Sequence, residues 1–194
     1  MCGRFYCDST KLPLQKVAAV AENPEKADRL TWGEIRPSDT VTIIIPKGNK
    51  AHAVFAGWGY LNDRRQISLT HARCETAENI RSLAVDIRYR RCIIPASGYL
   101  ESTNGPQRLY FFDESGRQLM MAGLWRMDTS GDYRFVLLTS DLCPYGEGIH
   151  PRAPLLLSEE NARAWLFEVE KTAQILSLPP QTLSYISMPV RARI

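Results

Sequence analysis

The sequence predicts an α+β fold, with a mostly antiparallel, barrel-like twisted β-sheet and flanking helices. Short β-branched or apolar runs, bounded by Gly, Pro, Asn and Ser, recur along most of the chain, whereas helical spacing of apolar residues appears in only a few segments. The length of 194 residues suits one domain with its own core, and no linker divides the chain. We therefore expect a single domain over residues 1–194.

The first half of the chain predicts a helix, a hairpin and a second helix. Ser9 or Thr10 can cap the first helix, because a side-chain hydroxyl accepts a hydrogen bond from an otherwise unpaired backbone amide. A β-branched run followed by a Pro- and Gly-containing turn favours the hairpin. In order, the expected elements are a helix ending at Asn23–Pro24, an irregular segment at Trp32–Pro37, strands at Val41–Ile45, Ala51–Gly59 and Ile67–His71, a helix over Glu75–Tyr89 and a buried strand at Cys92–Pro95.

The second half predicts three consecutive strands in a meander, then a long loop, a helix and a last strand. Ser158 is expected to cap the helix, with Glu159 and Glu160 in the first turn, where the helix dipole favours negative charge. In order, the expected elements are strands at Leu109–Phe112, Leu119–Trp125 and Tyr133–Leu138, a loop over Asp141–Pro154, a short strand at Leu155–Leu157, the helix, and a strand at Ser184–Val190.

The composition is ordinary for a cytosolic globular protein, with 44% apolar and 23% charged residues and a net charge of +3. No apolar run reaches the ~20 residues that a membrane span needs. The N-terminus also lacks the basic and apolar regions of a signal peptide. We expect a cytoplasmic monomer with no membrane partner.

The cysteines are odd in number and scattered, which argues against a disulfide framework. They are Cys2, Cys7, Cys74, Cys92 and Cys143. No C-x-x-C or H-x-x-x-H pair is present, so we expect neither a metal site nor a cofactor. A zinc site assembled in space from Cys2 and Cys7 with His71 or His150 is the open alternative.

Cys2 is the first candidate reactive residue. Removal of Met1 is easy when the next side chain is small, and the chain then begins with cysteine. Its α-amine and thiol lie on adjacent carbons and can close on an aldehyde to form a thiazolidine. The amine titrates near pH ~7.7–8 and the thiol near ~8.5, so both have a reactive fraction at neutral pH. A chance cysteine at position two is the plainer interpretation.

Two further residues are candidates for proton transfer. His150 lies in the longest loop, next to Pro151, and its pKa range suits proton exchange near neutral pH. Glu101 follows an apolar strand, where burial would raise its pKa and suit it to acid–base catalysis. The alternatives are a surface histidine in a turn and an exposed glutamate before a turn.

A phosphate-binding group is also possible. His71 and Arg73 alternate on a predicted strand and so share a face. Arg73 could clamp a phosphate together with Arg4 and Arg152, or it could form a salt bridge to Glu75 or another carboxylate. The aromatic residues Phe5, Trp58 and Tyr99 could stack on bases or belong to the core.

Four blocks of sequence, in order, resemble the SRAP family of abasic-site processing proteins. They are Met1-Cys2-Gly3-Arg4-Phe5; Trp58–Gly59 followed by His71-Ala72-Arg73-Cys74-Glu75-Thr76; the run R-R-C-I-I-P-A-S-G-Y-L-E from Arg90 to Glu101; and Ile149-His150-Pro151-Arg152-Ala153-Pro154. The resemblance runs from Met1 to about Leu157, and one block is fixed at the N-terminus, which makes the combination specific.

The resemblance implies a covalent reaction with abasic sites in single-stranded DNA, whose sugar opens to an aldehyde. The amine of Cys2 would form a Schiff base and its thiol would close a thiazolidine, which crosslinks protein to DNA. Glu101 would shuttle protons, His150 would assist Schiff-base chemistry and reversal, and Met1 would be removed by self-cleavage. The resemblance implies DNA contacts through Gly3, Arg4, Trp58, Arg73 and Arg152. It also implies association with the nucleoid when the protein is bound to DNA.

The sequence departs from the family pattern in four places. His71, which the resemblance places among the catalytic residues, stands where Asn is usual, and imidazole is larger and can carry charge. Ser102 replaces a Trp after Glu101. The loop after Tyr60 is short and lacks the usual Pro and Trp, which puts junction recognition in doubt. Glu34–Pro37 stands where N-x-A-P is usual.

Three other functions remain open from the sequence. A variant of the same fold could bind single-stranded DNA without crosslinking. A cysteine or N-terminal-nucleophile hydrolase could use Cys2 with His150. A purely structural role is the third, and the family-like context of Cys2, Glu101 and His150 counts against it.

Overall fold

The computed structural model describes residues 3–10, 21–141 and 151–189. The strands in this part of the chain are β1 (Arg4–Cys7), β2 (Gly33–Ile35), β3 (Thr40–Lys47), β4 (Lys50–Trp58), β5 (Tyr60–Leu61), β6 (Ile67–Leu69), β7 (His71–Arg73), β8 (Arg91–Ala96), β9 (Gly98–Ser102), β10 (Gln107–Phe112), β11 (Leu119–Met127), β12 (Tyr133–Ser140), β13 (Ala153–Pro154), β14 (Leu156–Leu157) and β15 (Ser184–Pro189). The α-helices are α1 (Arg81–Tyr89), α2 (Glu159–Phe167) and α3 (Thr172–Leu176), and 3₁₀ turns occupy Pro24–Arg29, Ala77–Asn79 and Val169–Lys171.

The strands form two main sheets. The smaller has five strands in the order β15-β10-β9-β1-β2, all antiparallel. The larger has eight strands in the order β13-β12-β4-β3-β8-β11-β14, with β7 also paired to β12 and a further β11–β12 pairing. β12 runs parallel to both β4 and β7. The sheet-dominated α+β class is confirmed, but the expected single barrel-like sheet is corrected to two main sheets, of which the larger is mixed.

Local signals predicted their elements well. The hairpin of β3 and β4 is present, and the side chain of Ser158 accepts a hydrogen bond from the Asn161 amide at 3.2 Å to cap α2. Three expectations are corrected: residues 33–35 form β2, the helix predicted from Glu75 begins only at Arg81, and β10 joins the smaller sheet instead of a meander. The helix predicted to end at Asn23–Pro24 falls largely on residues 11–20, outside the described residues.

The core lies between the two sheets and behind the larger one. Phe5, Tyr99 and Phe111 from the smaller sheet pack in one cluster with Trp58 and Phe135 from the larger sheet. On the other side of the larger sheet, a second cluster joins its strands to the three helices. Burial of this apolar surface is the main favourable contribution to folding, and it fixes the positions of β1 and β9 against the larger sheet.

Gly98 begins β9 at a point where the strands have no room for a side chain. A Cβ atom there would lie 2.4 Å from the carbonyl oxygen of Phe111 and 2.6 Å from the ring of Tyr110. We expect Gly98→Ala to lower the free energy of unfolding by about 1–3 kcal/mol, because β9 and β10 must separate. At Gly105 the nearest atom, Thr103 Oγ1, would be 3.7 Å away, so Gly105→Ala is the control. Equal urea midpoints for the two variants would contradict this prediction.

Candidate functional site

Glu101 is a buried carboxyl group in the smaller sheet. It lies in β9, opposite Leu109 of β10, and only 3% of its surface is exposed. Burial raises the pKa of Glu101 from 4.5 to about 7. Both protonation states are therefore populated near neutral pH, as a group that donates and accepts protons requires. The alternative of an exposed glutamate before a turn is excluded.

The strand that follows the N-terminus lies beside Glu101. β1 pairs with β9 in antiparallel register, with Arg4 opposite Leu100 and Phe5 opposite Tyr99. Gly3 is exposed and immediately precedes β1. The first described residues therefore lie beside the part of β9 that contains Leu100 and Glu101. Cys2 and His150 lie outside the described residues.

The three aromatic residues weighed as base-stacking candidates are core residues. Phe5 and Trp58 have no exposed surface and Tyr99 has 2%. The ring centroids of Phe5 and Trp58 are 5.1 Å apart, and Trp58 meets His71 edge-on at 5.4 Å. The indole N–H of Trp58 donates to the Thr70 carbonyl at 2.9 Å. In the core, Trp58 therefore contacts both Phe5 of β1 and His71. Because its ring is fully buried, it cannot stack on a base.

His71 and Arg73 lie together on β7, as the sequence predicts. Ala72 between them is buried, while Arg73 is exposed and His71 is half-buried. Nδ1 of His71 lies 2.9 Å from Oγ1 of Thr70, which helps to orient the imidazole ring. β7 runs parallel to β12, with Arg73 opposite Thr139. The side of β7 that carries His71 and Arg73 is therefore continuous with the C-terminal end of β12, where Leu137 and Thr139 lie opposite them.

Arg152 reaches the same end of β12. It donates from Nε to Oγ1 of Thr139 at 3.2 Å and from Nη2 to Glu75 at 2.7 Å. Glu75 also accepts from the backbone amide of Asp141 at 2.9 Å. Burial raises the pKa of Glu75, but these hydrogen bonds and the guanidinium charge outweigh it and lower the pKa overall. Glu75 therefore contacts residues on both sides of residues 142–150, Asp141 before them and Arg152 after them. Its salt-bridge partner is Arg152 and not Arg73, which corrects the alternative of an Arg73–Glu75 bridge.

The sequence did not identify the role of Glu34. This carboxylate pairs with Arg4, with Arg36 at 3.1 Å and with Arg108 at 3.5 Å. Partial burial raises the pKa of Glu34, but the three guanidinium groups lower it overall. The departure from the family pattern at residues 34–37 was visible in the sequence, whereas the partners of Glu34 depend on the register of β1 with β2.

The cysteines of the described residues are not suited to catalysis. Cys7, Cys74 and Cys92 are buried free thiols, and burial raises the pKa of Cys7 and of Cys74 to about 12. These groups stay protonated at neutral pH, and the thiolate is the reactive form. Across residues 3–10, 21–141 and 151–189, no group of His, Cys, Asp and Glu side chains is placed to hold a metal ion. In that same part of the chain, no helix has the length and apolar character needed to cross a membrane.

Two curated proteins are similar to this chain in sequence over most of its length. The abasic site processing protein YoqW of Bacillus subtilis is 24% identical over 181 residues, covering 86% of this chain and 80% of the relative. YedK of Escherichia coli, also described as an abasic site processing protein, is 26% identical over 179 residues, with 86% and 79% covered.

Solved structures show the same fold. A protein from Bacteroides thetaiotaomicron superposes with a TM-score of 0.76 at 20% identity, covering 98% of this chain and 92% of the other. A protein from Bordetella bronchiseptica gives a TM-score of 0.74, also at 20% identity, with 98% and 100% covered. The family model described as SOS response associated peptidase (SRAP) matches residues 1–194. The chain therefore belongs to the SRAP family.

Proposed function

We propose that this protein captures abasic sites in single-stranded DNA covalently, through the α-amine and thiol of Cys2 after Met1 has been removed. Family membership and the names of the relatives support an abasic-site substrate. The observation that carries the mechanism is the burial of Glu101 on β9, directly beside the strand that follows the N-terminus. The proposed unit is one domain spanning residues 1–194, acting as a monomer.

The chemistry of the capture balances without a cofactor. The α-amine attacks the aldehyde carbon of the opened sugar and forms a carbinolamine. Protonation of the new hydroxyl expels water and leaves a Schiff base. The thiolate then adds to the imine carbon, the nitrogen takes up a proton, and a thiazolidine results. One C–N and one C–S bond form, one water leaves, and no oxidant or reductant is needed.

Glu101 is the proposed proton shuttle for these steps. With a pKa of about 7, it can protonate the departing hydroxyl and then accept the thiol proton. His150 is proposed to assist formation and reversal of the Schiff base, and His71 to act beside it in the position where Asn is usual in the family. The self-removal of Met1 is proposed to use the same groups.

The proposed path of the DNA follows the arginines around the site. Arg73 is exposed and can meet a phosphate directly. Arg4 and Arg152 are held by carboxylates, so a phosphate must share their guanidinium groups with Glu34 and Glu75. Gly3 is proposed to lie against the strand at the lesion, and Trp58 to support the site from within. On DNA, the protein would be associated with the nucleoid.

A denaturing gel tests the proposal. Protein whose intact mass shows loss of Met1 is mixed with a single-stranded oligonucleotide carrying one abasic site, and a shifted band is expected. A protein with an additional Gly retained ahead of Cys2 should give no band, because the amine has become an amide. An oligonucleotide with a tetrahydrofuran in place of the abasic sugar has no aldehyde and is the control. No band from the Met1-free protein would exclude the proposed crosslink, and a shift seen only on a native gel would identify a non-crosslinking DNA-binding protein.

A further inference from the structure

The smaller sheet has a second face, of which the proposed reaction uses only Arg4. Side chains alternate along β1, so Phe5 and Cys7 point into the core while Arg4 and Tyr6 point away from it. The same alternation on β10 directs Leu109 and Phe111 inward. We call the outward side the outer face; its residues are Arg4, Tyr6, Glu34, Arg108, Tyr110, Phe112, Ile186 and Met188, together with Arg36, which pairs with Glu34 at the end of β2.

Aromatic rings form a connected row on the outer face. Tyr6, 41% exposed, meets Tyr110 edge-on at 6.0 Å, and Tyr110 stacks on Phe112 at 5.7 Å with an angle of 15° between the rings. The ring of Tyr110 lies over Gly98, since a Cβ there would come within 2.6 Å of two ring atoms. This contact holds the ring against the sheet.

Apolar side chains extend this row at the edge of the sheet. Ile186 and Met188 on β15 lie opposite Tyr110 and Arg108 and are 52% and 42% exposed. Exposed apolar surface of this kind, continuous with aromatic rings and next to charge, is typical of an interaction site.

Positive charge borders the row. Arg4, Arg36 and Arg108 share the carboxylate of Glu34. Asp8 is a second carboxylate, close enough to add to the rise that burial and Tyr6 cause in the pKa of Tyr110, so three guanidinium groups stand against two negative charges. Arg108 is two residues from Tyr110 on the same side of β10, and Arg4 is two residues from Tyr6 on β1. An arginine and an aromatic ring therefore lie on the same side of β1 and of β10, the two strands that flank β9.

We propose that the outer face is a second binding surface for single-stranded DNA, with unpaired bases stacked on Tyr6 and Tyr110 and phosphates bound by Arg108 and Arg36. The excess positive charge favours a polyanion over an apolar protein partner, and the flat rings favour unpaired bases, whose faces are open, over a duplex. The identity of the polymer as DNA rests on the proposed function, whereas the binding itself needs neither Cys2 nor an abasic site.

Fluorescence anisotropy measures the affinity of the outer face for a labelled, undamaged oligothymidylate. The measurement uses Cys2→Ala protein, so that crosslinking cannot contribute to the signal. Tyr110→Leu should weaken binding about 5- to 150-fold, because one stacked base is worth roughly 1–3 kcal/mol. Tyr6→Leu, at a more exposed position, should weaken it in the same direction even if Tyr110→Leu reduces stability. The matched control is Tyr89→Leu, which removes a tyrosine that is 64% exposed at the end of α1.

A charge variant supplies an independent readout. Arg108→Gln should weaken binding and reduce the slope of log affinity against log salt by about one phosphate contact. Arg163→Gln on α2, which packs on the larger sheet, removes the same charge from an exposed position elsewhere and should change neither quantity.

The inference is overturned if the Tyr6, Tyr110 and Arg108 variants bind undamaged single strands as tightly as their controls, or if duplex of the same sequence binds equally well. These outcomes leave the proposed function intact, since that is judged by the denaturing gel. Conversely, if the outer-face variants weaken binding but the denaturing gel shows no crosslinked band, the proposed reaction is contradicted and the outer-face proposal is supported.

Discussion

Cys2→Ser is expected to abolish the stable crosslink while leaving a Schiff base that borohydride can trap. Serine keeps the α-amine, so the first condensation still proceeds and water still leaves. The hydroxyl is a far weaker nucleophile than a thiolate, so the ring does not close into a stable product. A denaturing gel of the reaction with abasic single-stranded DNA, with and without borohydride, measures both results. Loss of Met1 from the variant is verified by intact mass.

Two controls make this result specific to the N-terminus. Cys143→Ser should leave the untreated band unchanged, because the proposed ring uses only the thiol next to the α-amine. Cys2→Ala should behave as Cys2→Ser does, with a band only after reduction. A band that survives denaturation in untreated Cys2→Ser would show that another nucleophile forms the bond.

Glu101→Gln is expected to slow crosslink formation about 100- to 10,000-fold, the usual contribution of a general acid–base group. The amide of glutamine fills the same buried place in β9 but cannot exchange a proton. The wild-type rate should change slope near pH 7, the pKa to which burial raises Glu101, and this inflection should be missing from the variant. Quench-flow or timed gel samples across pH 5 to about 9 measure it. Glu78→Gln, at an exposed position, is the control.

The same substitution should change how stability depends on pH. Glu101 has a pKa of about 7 in the folded protein against an ordinary 4.5, so between these values the folded state retains a proton that the unfolded state releases. The free energy of unfolding of the wild type should therefore fall by about 3 kcal/mol as pH rises through this window. Glu101→Gln removes that fall. Urea unfolding at pH 4.5 and about 8 measures this change in both proteins. If the free energy of unfolding changes by the same amount in the wild type and in Glu101→Gln, the titration does not belong to Glu101.

Sequence reasoning succeeded where structure depends on neighbouring residues. The β3–β4 hairpin and the Ser158 cap follow from a turn and a helix start that are local in the chain. It failed at β2, which has three residues and exists because it pairs with β1. It also failed to separate β10 from the strands that follow it, because β10 pairs with β9 and with distant β15. Such pairings are decided by tertiary packing, which a local pattern does not contain.

The candidate site divides in the same way. The place of Glu101 after an apolar strand left burial and exposure as alternatives, and the structure shows burial, whereas the alternation of His71 and Arg73 predicted their shared face. The partners of the arginines were not predictable. Arg4 meets Glu34, and Arg152 meets Glu75, through contacts between residues that are far apart in sequence. A guanidinium group on a long side chain can reach several carboxylates, and only the folded chain selects one.

The position of β1 has a consequence for how the protein is made. β1 precedes β2 and β9 in the chain, yet in the sheet it lies between them, and β9 is translated about 90 residues after β1. If Met1 is removed with the help of Glu101, as proposed, a nascent chain keeps Met1 ahead of Cys2 until Glu101 has been synthesised and β9 has paired with β1. A truncated polypeptide ending before residue 101 would then lack both the free α-amine and the proton shuttle, and it could not react prematurely with aldehydes.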